Sequence, residues 1–258
     1  MKIIIVAAGE GVRLRPLTND RPKCMLEING KPILEYQLEV IKKCGIKDIT
    51  LVKGYKGDFI QYKGIKYYTN DEFYKNNMLK SLFYAKEEIN DDFIFSFADI
   101  IYTHDLFEKV VSNKDDFCIV TDIDWKKNYE DRDMHPVEQA NLVKVENGLV
   151  VKIGRDNIIK EKDIYGEFIG IAKFSRKGAL ILKKRYAELE EKFNNSRPQK
   201  FHNAKLFEKS YFDDMIQELI NLGHPVKPIP ITSGWVEIDT IQDLTKAEER
   251  IKENGNIL

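Results

Sequence analysis

Cysteine is scarce in this chain and scattered. Cys24, Cys44 and Cys118 are the only three in 258 residues, and no C-x-x-C pair occurs. That usage argues against a cysteine zinc site and suits a reducing cytoplasm. The four histidines do not cluster either. No segment approaches the run of about 18 apolar residues that a membrane helix needs, and the stretch from Ile3 to Ala8 is too short for the apolar region of a signal peptide. A soluble, cytoplasmic protein with no membrane partner is therefore expected. The net charge of −1 provides no general attraction to nucleic acid or to an anionic surface. Repeats, low-complexity tracts and linkers are absent as well. What the chain does have is apolar content, 43% hydrophobic and 11% aromatic. That is enough for a sizeable core in one domain spanning 1–258.

Strand-like and helix-like segments alternate through the first half. Strands are expected at 3–6, 48–52, 65–69, 93–97 and 117–121, with helices at 33–44, 80–89 and 105–111. This rhythm is that of an α/β fold with a doubly wound, mostly parallel, Rossmann-like sheet. It changes after about Asp122. Segments 141–145 and 149–153, split by Asn147-Gly148, read as a hairpin with a type I′ turn. A strand at 167–174, a charged helix at 177–194 and a polar loop at 195–204 follow. Helix 211–222 is stopped by Gly223. Strand 226–231 carries Pro228 and Pro230, which suits an edge. Segment 234–238 leads to a last helix at 241–252. The expectation is one domain with a small α+β insertion over about 124–210, on the acceptor side of the site.

The densest information lies in residues 3–23, IIIVAAGEGVRLRPLTNDRPK. A buried strand runs into the loop Gly9-Glu10-Gly11-Val12-Arg13, and Pro22-Lys23 follows. Glycines just after such a strand let the backbone approach a ligand. Free N–H groups there, with Arg13 and Lys23 beside them, form a cradle for polyphosphate. The loop is not a P-loop, because no Lys-Ser or Lys-Thr follows at the required spacing. Nor is it a dinucleotide fingerprint, because Leu14 takes the third glycine position and Pro16 follows.

Four further groups carry chemistry. Asp99 ends the apolar run FIFSFAD, at the strand end where α/β sheets bind ligands. Its carboxylate suits a hard cation such as Mg2+, or else a turn or helix cap. Alternation in Trp235-Val236-Glu237-Ile238-Asp239 places Trp235, Glu237 and Asp239 on one face, with Asp239 also able to cap the last helix. Asn77 and Ser81 can read a base edge and ribose, although Asn77 equally suits a helix cap. Asp122, Asp124, Trp125, Arg132, Glu138, Arg155, Glu167 and Tyr211 mix acidic and aromatic groups that suit an acceptor bearing a positive nitrogen, or are solvated surface charges.

The string G-x-G-x-R-L-x-P-L-T-x-x-x-P-K, N-N-x-x-x-S from Asn76 to Ser81, F-x-F-A-D ending at Asp99, and W-V-E-I-D-T-x-x-D-L from Trp235 to Leu244 together resemble the small-molecule cytidylyltransferases. The phosphocholine, 2-aminoethylphosphonate and phosphoglutamine enzymes belong to that branch of the nucleotidyltransferase superfamily. The resemblance runs through essentially the whole chain in order. It implies transfer of CMP from CTP to a small phosphate or phosphonate acceptor, release of pyrophosphate, Mg2+, and a role in decorating a surface polysaccharide or capsule. It also implies that Ala8, Gly9, Gly11, Arg13 and Lys23 hold the triphosphate. Asn77 and Ser81 would lie near cytosine and ribose, and Asp99 and Asp239 would hold the metal, so that Arg13, Lys23, Asp99 and Asp239 are the catalytic set. Asp122, Trp125, Arg132, Arg155, Glu167, Tyr211, Trp235 and Glu237 are the candidates for the acceptor side. A monomer or homodimer is expected. Two other readings remain at this point: a sugar-1-phosphate nucleotidyltransferase using UTP, GTP or dTTP, and a non-catalytic nucleotide-binding regulator.

Overall fold

The computed structural model describes residues 1–130, 132–155 and 158–254. Positions 131, 156 and 157, within the expected insertion, lie outside the described residues, as do 255–258. In chain order the elements are β1 (Lys2–Ala7), β2 (Glu27–Ile28), β3 (Lys31–Pro32), α1 (Ile33–Lys43), β4 (Asp48–Lys53), β5 (Ile65–Thr69), α2 (Met78–Tyr84), β6 (Phe93–Phe97), β7 (Ile100–Tyr102), α3 (His104–Ser112) and β8 (Phe117–Asp122). The second half adds β9 (Leu142–Glu146), β10 (Leu149–Gly154), β11 (Gly166–Phe174), α4 (Arg176–Asn194), α5 (Phe212–Asn221), β12 (Lys227–Ile231), β13 (Trp235–Glu237) and α6 (Ile241–Asn254).

The run of three isoleucines in β1 sits at the centre of a nine-stranded sheet, and all six residues of the strand are buried. Such an unbroken apolar strand needs cover on both faces, as in parallel sheets. β1 pairs in parallel with β4 and β6, and β4 with β5. β11, nine residues long and buried throughout, then pairs antiparallel with β6, β8 and β9. β12 lies at the edge, parallel to β8, where its two prolines remove no ladder bond from a second neighbour. Asn147 and Gly148 both adopt left-handed φ in the turn between β9 and β10, as a type I′ turn demands. Helix α2 packs on β1 and β4, α4 on β11, and α5 on β10. Among the described residues no helix is long and apolar enough to cross a membrane.

Two details set up the site. β11 bends at a register shift between Phe168 and Ala172, and Gly170 there has φ +90° with the Phe97 ring 2.2 Å from where a Cβ would stand. Only glycine lets the strand pass the aromatic at the end of β6. The second detail is a two-stranded ribbon absent from the sequence reading. β7 pairs antiparallel with β13, and the Ile238 N–H donates to the Asp99 carbonyl at 2.8 Å. This ribbon carries Asp99 and Asp239 toward each other. A separate small core beneath it packs Leu14 of the opening loop with Ile101, Ile238 and Ala247. The expected helix at 80–89 is shorter than its apolar pattern suggested: α2 stops at Tyr84, and a single 3-10 turn covers Lys86–Glu88.

Candidate active site

The opening loop leaves β1 at the carboxyl edge of the sheet, where α/β folds collect ligands. Gly11 has φ +61°, and a Cβ on it would stand 2.9 Å from Lys23 Cβ. The loop can therefore lie against Lys23 only with glycine at that position. Thr18 Oγ1 donates to the Gly11 carbonyl at 2.9 Å and fixes the turn. The N–H groups of Gly9, Glu10 and Gly11 have no acceptor among the described residues. They remain available to a ligand, as the cradle requires.

A cleft of about 610 Å³ opens beside this loop. Ala8, Gly9, Gly11, Arg13, Lys23, Asn77, Ser81, Asp99, Arg155, Glu167, Tyr211, Trp235, Glu237 and Asp239 all line it. At its centre Lys23 Nζ reaches Asp99 Oδ2 at 2.8 Å and Asp239 Oδ1 at 2.5 Å. Arg13 pairs with the other oxygen of Asp239 and donates to Gln139 Oε1 at 2.7 Å. Burial works against the charge on Lys23, yet Asp99, Asp239 and Glu237 hold its pKa above the usual lysine value. Burial likewise opposes ionisation of Asp239, but Lys23, His135 and Arg13 together hold it well below the ordinary aspartate value. Glu237 is pushed up, first by burial and then by Asp239, with Arg132 countering.

The carboxylates are set by groups behind the wall. Gln37, fully buried on α1, donates to the carbonyls of Phe97 at 2.8 Å and Ile100, and so fixes the bend that presents Asp99. Asp243 accepts from the N–H groups of Asp239 (3.0 Å) and Thr240 (2.8 Å) at the start of α6. Asn77 caps α2, its Oδ1 accepting from Met78 N at 2.9 Å, and also lines the cleft. Buried Asn70 donates to Ser81 Oγ at 2.8 Å and orients it.

Three expected acceptor residues do not reach the cleft wall. Asp122 accepts from Trp235 Nε1 at 2.7 Å, so it orients the indole that does. Trp125 is buried in a small cluster with Ala140, Leu142 and Ile159. Arg132 turns away to Asp243, at 2.7 and 2.9 Å through two nitrogens, and to Glu237 at 3.0 Å. Asp124 pairs with Lys127, and Glu138 is exposed. Arg155, Glu167 and Tyr211 do line the cleft. The Arg155 guanidinium carbon sits 4.1 Å from the Tyr211 ring centroid. Glu167 Oε1 accepts from Tyr129 at 2.6 Å. Burial pushes the Glu167 pKa up to about 8, against the Tyr129 hydrogen bond.

His135 escaped the sequence reading. Its Nδ1 lies 3.1 Å from Asp239 and 3.7 Å from Glu237, and among the described residues these three are the one cluster of three potential ligand side chains. Nothing local announces it, because its partners stand about a hundred positions away in sequence.

Such a cleft, with a glycine loop of free N–H groups beside convergent carboxylates, suits transfer of a nucleotidyl group, and the chain is a nucleotidyltransferase. Residues 3–148 match the MobA-like NTP transferase domain, and the chain belongs to that family. It is 34% identical to the CTP:phosphoglutamine cytidylyltransferase of Campylobacter jejuni subsp. jejuni serotype O:2, over 95% of this chain and 98% of that one. It is 30% identical to the choline-phosphate cytidylyltransferase of Streptococcus pneumoniae, over 98% and 99% of the two chains. A solved CTP:phosphocholine cytidylyltransferase from Streptococcus pneumoniae superposes with a TM-score of 0.71 at 25% identity, covering 97% of this chain and 98% of that one.

Proposed function

We propose that this enzyme is a CTP-dependent cytidylyltransferase. It transfers CMP to a small amino-bearing phosphate or phosphonate and releases pyrophosphate. It works in the cytoplasm as one domain over 1–258, on the way to decorating a surface polysaccharide or capsule. The observation that carries the reading is the end-to-end likeness to two cytidylyltransferases. The sugar-1-phosphate and regulator readings have no comparable support.

In this reading the loop N–H groups with Arg13 and Lys23 hold the triphosphate, and Asn77 and Ser81 face the nucleoside. An oxygen of the acceptor phosphate attacks the α-phosphorus while the bond to the β-phosphate oxygen breaks and pyrophosphate leaves. Arg13 and Lys23 offset the mutual repulsion of the two phosphates as they approach. The donor set suits Mg2+: Asp99 Oδ1 is a buried carboxylate oxygen with no hydrogen-bond partner, and Asp239 faces the same ammonium. Asp99 and Asp239 would hold the ion, with Glu237 and His135 adjacent. When bound there, the cation neutralises charge on the phosphates.

The test is pyrophosphate release by purified protein with Mg2+ across CTP, UTP, ATP, GTP and dTTP, each with a panel of small phosphorylated acceptors. CTP alone is expected to support turnover. Release with none of them defeats the reading, and a preference for UTP or dTTP replaces it with the sugar-phosphate one. Asp239→Asn is expected to abolish release; unchanged release removes Asp239 from the metal role.

A further inference from the structure

Arg155 lines the cleft, and among the described residues its hydrogen-bonding needs are only partly met. Its Nε donates to Asn141 Oδ1 at 3.0 Å, and its plane lies 4.1 Å from the Tyr211 ring centroid. Among the described residues no carboxylate comes within ion-pair distance of it, buried Asp213 being the one that acts on it most strongly from farther off, and its two terminal nitrogens have no acceptor. A guanidinium offers five N–H donors in a rigid fork suited to a two-oxygen anion. Here one donor is used, the ring contact fixes the plane, and the fork faces the cleft.

The arrangement of charge gives this fork its partner. The central carboxylates Asp99 and Asp239 already have cations of their own, Lys23 and Arg13. Arg155 packs with Asn141 and Tyr211. Glu167, which lines the same cleft, is 6% exposed and its Oε2 has no hydrogen-bond partner. A buried polar atom without a partner costs stability unless a ligand satisfies it. One face of Tyr211, which could otherwise stack on a quaternary ammonium, is covered by the guanidinium. A trimethylammonium group there would meet a like charge instead of an open ring.

We propose that Arg155 anchors a carboxylate at the end of the acceptor remote from its phosphate, so that the acceptor is a phosphorylated amino-acid-like zwitterion with its amino group toward Glu167 Oε2. This rests on the cytidylyltransferase reading and narrows it. Arg155 sets specificity, and Tyr211 and Asn141 position it.

Matched acceptors test it. With CTP and Mg2+, kcat/KM is measured for O-phosphoserine against phosphoethanolamine, and for N-phosphorylated glutamine against N-phosphorylated 4-aminobutanamide. Within each pair only the carboxylate differs. Phosphocholine completes the series. The carboxylate-bearing member of at least one pair is expected to be favoured by ~30-fold or more, because a site built for a charged group rejects the analogue that lacks it. Arg155→Gln and Arg155→Met should erase that preference, with Arg155→Lys restoring part of it. KM for CTP and the melting temperature should stay near wild type. Equal losses on both members of a pair in the Arg155 variants put the fork on the reacting phosphate and overturn the assignment. So does a wild-type enzyme that uses phosphocholine best or ignores the carboxylate; in these cases CTP turnover persists and the cytidylyltransferase reading stands. An enzyme inert with CTP throughout defeats both.

Discussion

Lys23 Nζ joins Asp99 and Asp239, at 2.8 Å from the first and 2.5 Å from the second, and so holds two carboxylates that would otherwise repel. Lys23→Met removes that link and, in the proposed reaction, a phosphate contact. Turnover with CTP is expected to fall by about 100-fold or more, since a single preorganised charge contact is worth that much in a transition state. The stability loss should depend on pH. The Asp239 pKa is depressed in the folded state, so its stabilising effect is present above the unfolded value of about 4 and fades as pH falls through the folded one. Urea unfolding should therefore show the widest gap between wild type and variant near pH 7 and a narrower one below about pH 4.

Gly11→Ala tests the cradle by itself. The new Cβ meets Lys23 Cβ at 2.9 Å and the backbone remains at φ +61°, a conformation that costs a non-glycine residue roughly 1–2 kcal/mol. The loop relaxes away from Lys23. KM for CTP is expected to rise by about 10-fold with a modest drop in melting temperature. An unchanged KM separates the loop from triphosphate binding.

Arg132 predicts a structural phenotype. It is buried, bidentate to Asp243 and bonded to Glu237, so Arg132→Met strands two acidic groups. A loss of about 3–5 kcal/mol in unfolding free energy is expected, the usual consequence of breaking a buried pair from one side. The double variant Arg132→Met with Asp243→Asn should recover part of it, which a double-mutant cycle reads directly.

Glu167 is one of the buried acids that should make stability depend on pH. Its pKa stands near 8 when folded, against an ordinary glutamate value of about 4.3 when unfolded. Between those values the folded state binds the extra proton, so this group makes the protein less stable as pH rises and adds nothing further above about 8. Glu167→Gln keeps an acceptor for Tyr129 and removes the titration. Relative to wild type it should gain stability between pH 5 and pH 8, by up to about 1.4 kcal/mol per pH unit, as measured by urea unfolding.

Where chemistry is written in neighbouring residues, the sequence reveals it. Ile3–Val6 needs a buried strand, FIFSFAD needs a second, and the spacing from Gly9 to Lys23 needs a loop; each is settled within a score of positions. The β7–β13 ribbon is different. Its strands have three residues each, too short for any period to register, and their pairing depends on which distant segment packs beside Ile101. His135 became visible only once that ribbon set Glu237 and Asp239 in place. The direction of a side chain was equally hidden: Asp122 is an acidic residue near an aromatic one in sequence, yet it faces the Trp235 nitrogen from behind the wall.

The ribbon also bears on how the enzyme comes into being. Lys23 and Asp239 are 216 positions apart, and only a long-range strand pairing unites them. Closing so large a loop costs entropy that contacts made elsewhere must offset, so the central sheet is expected to form before the acidic centre. Recovery of activity on refolding is then expected to lag behind recovery of the sheet's far-ultraviolet dichroism.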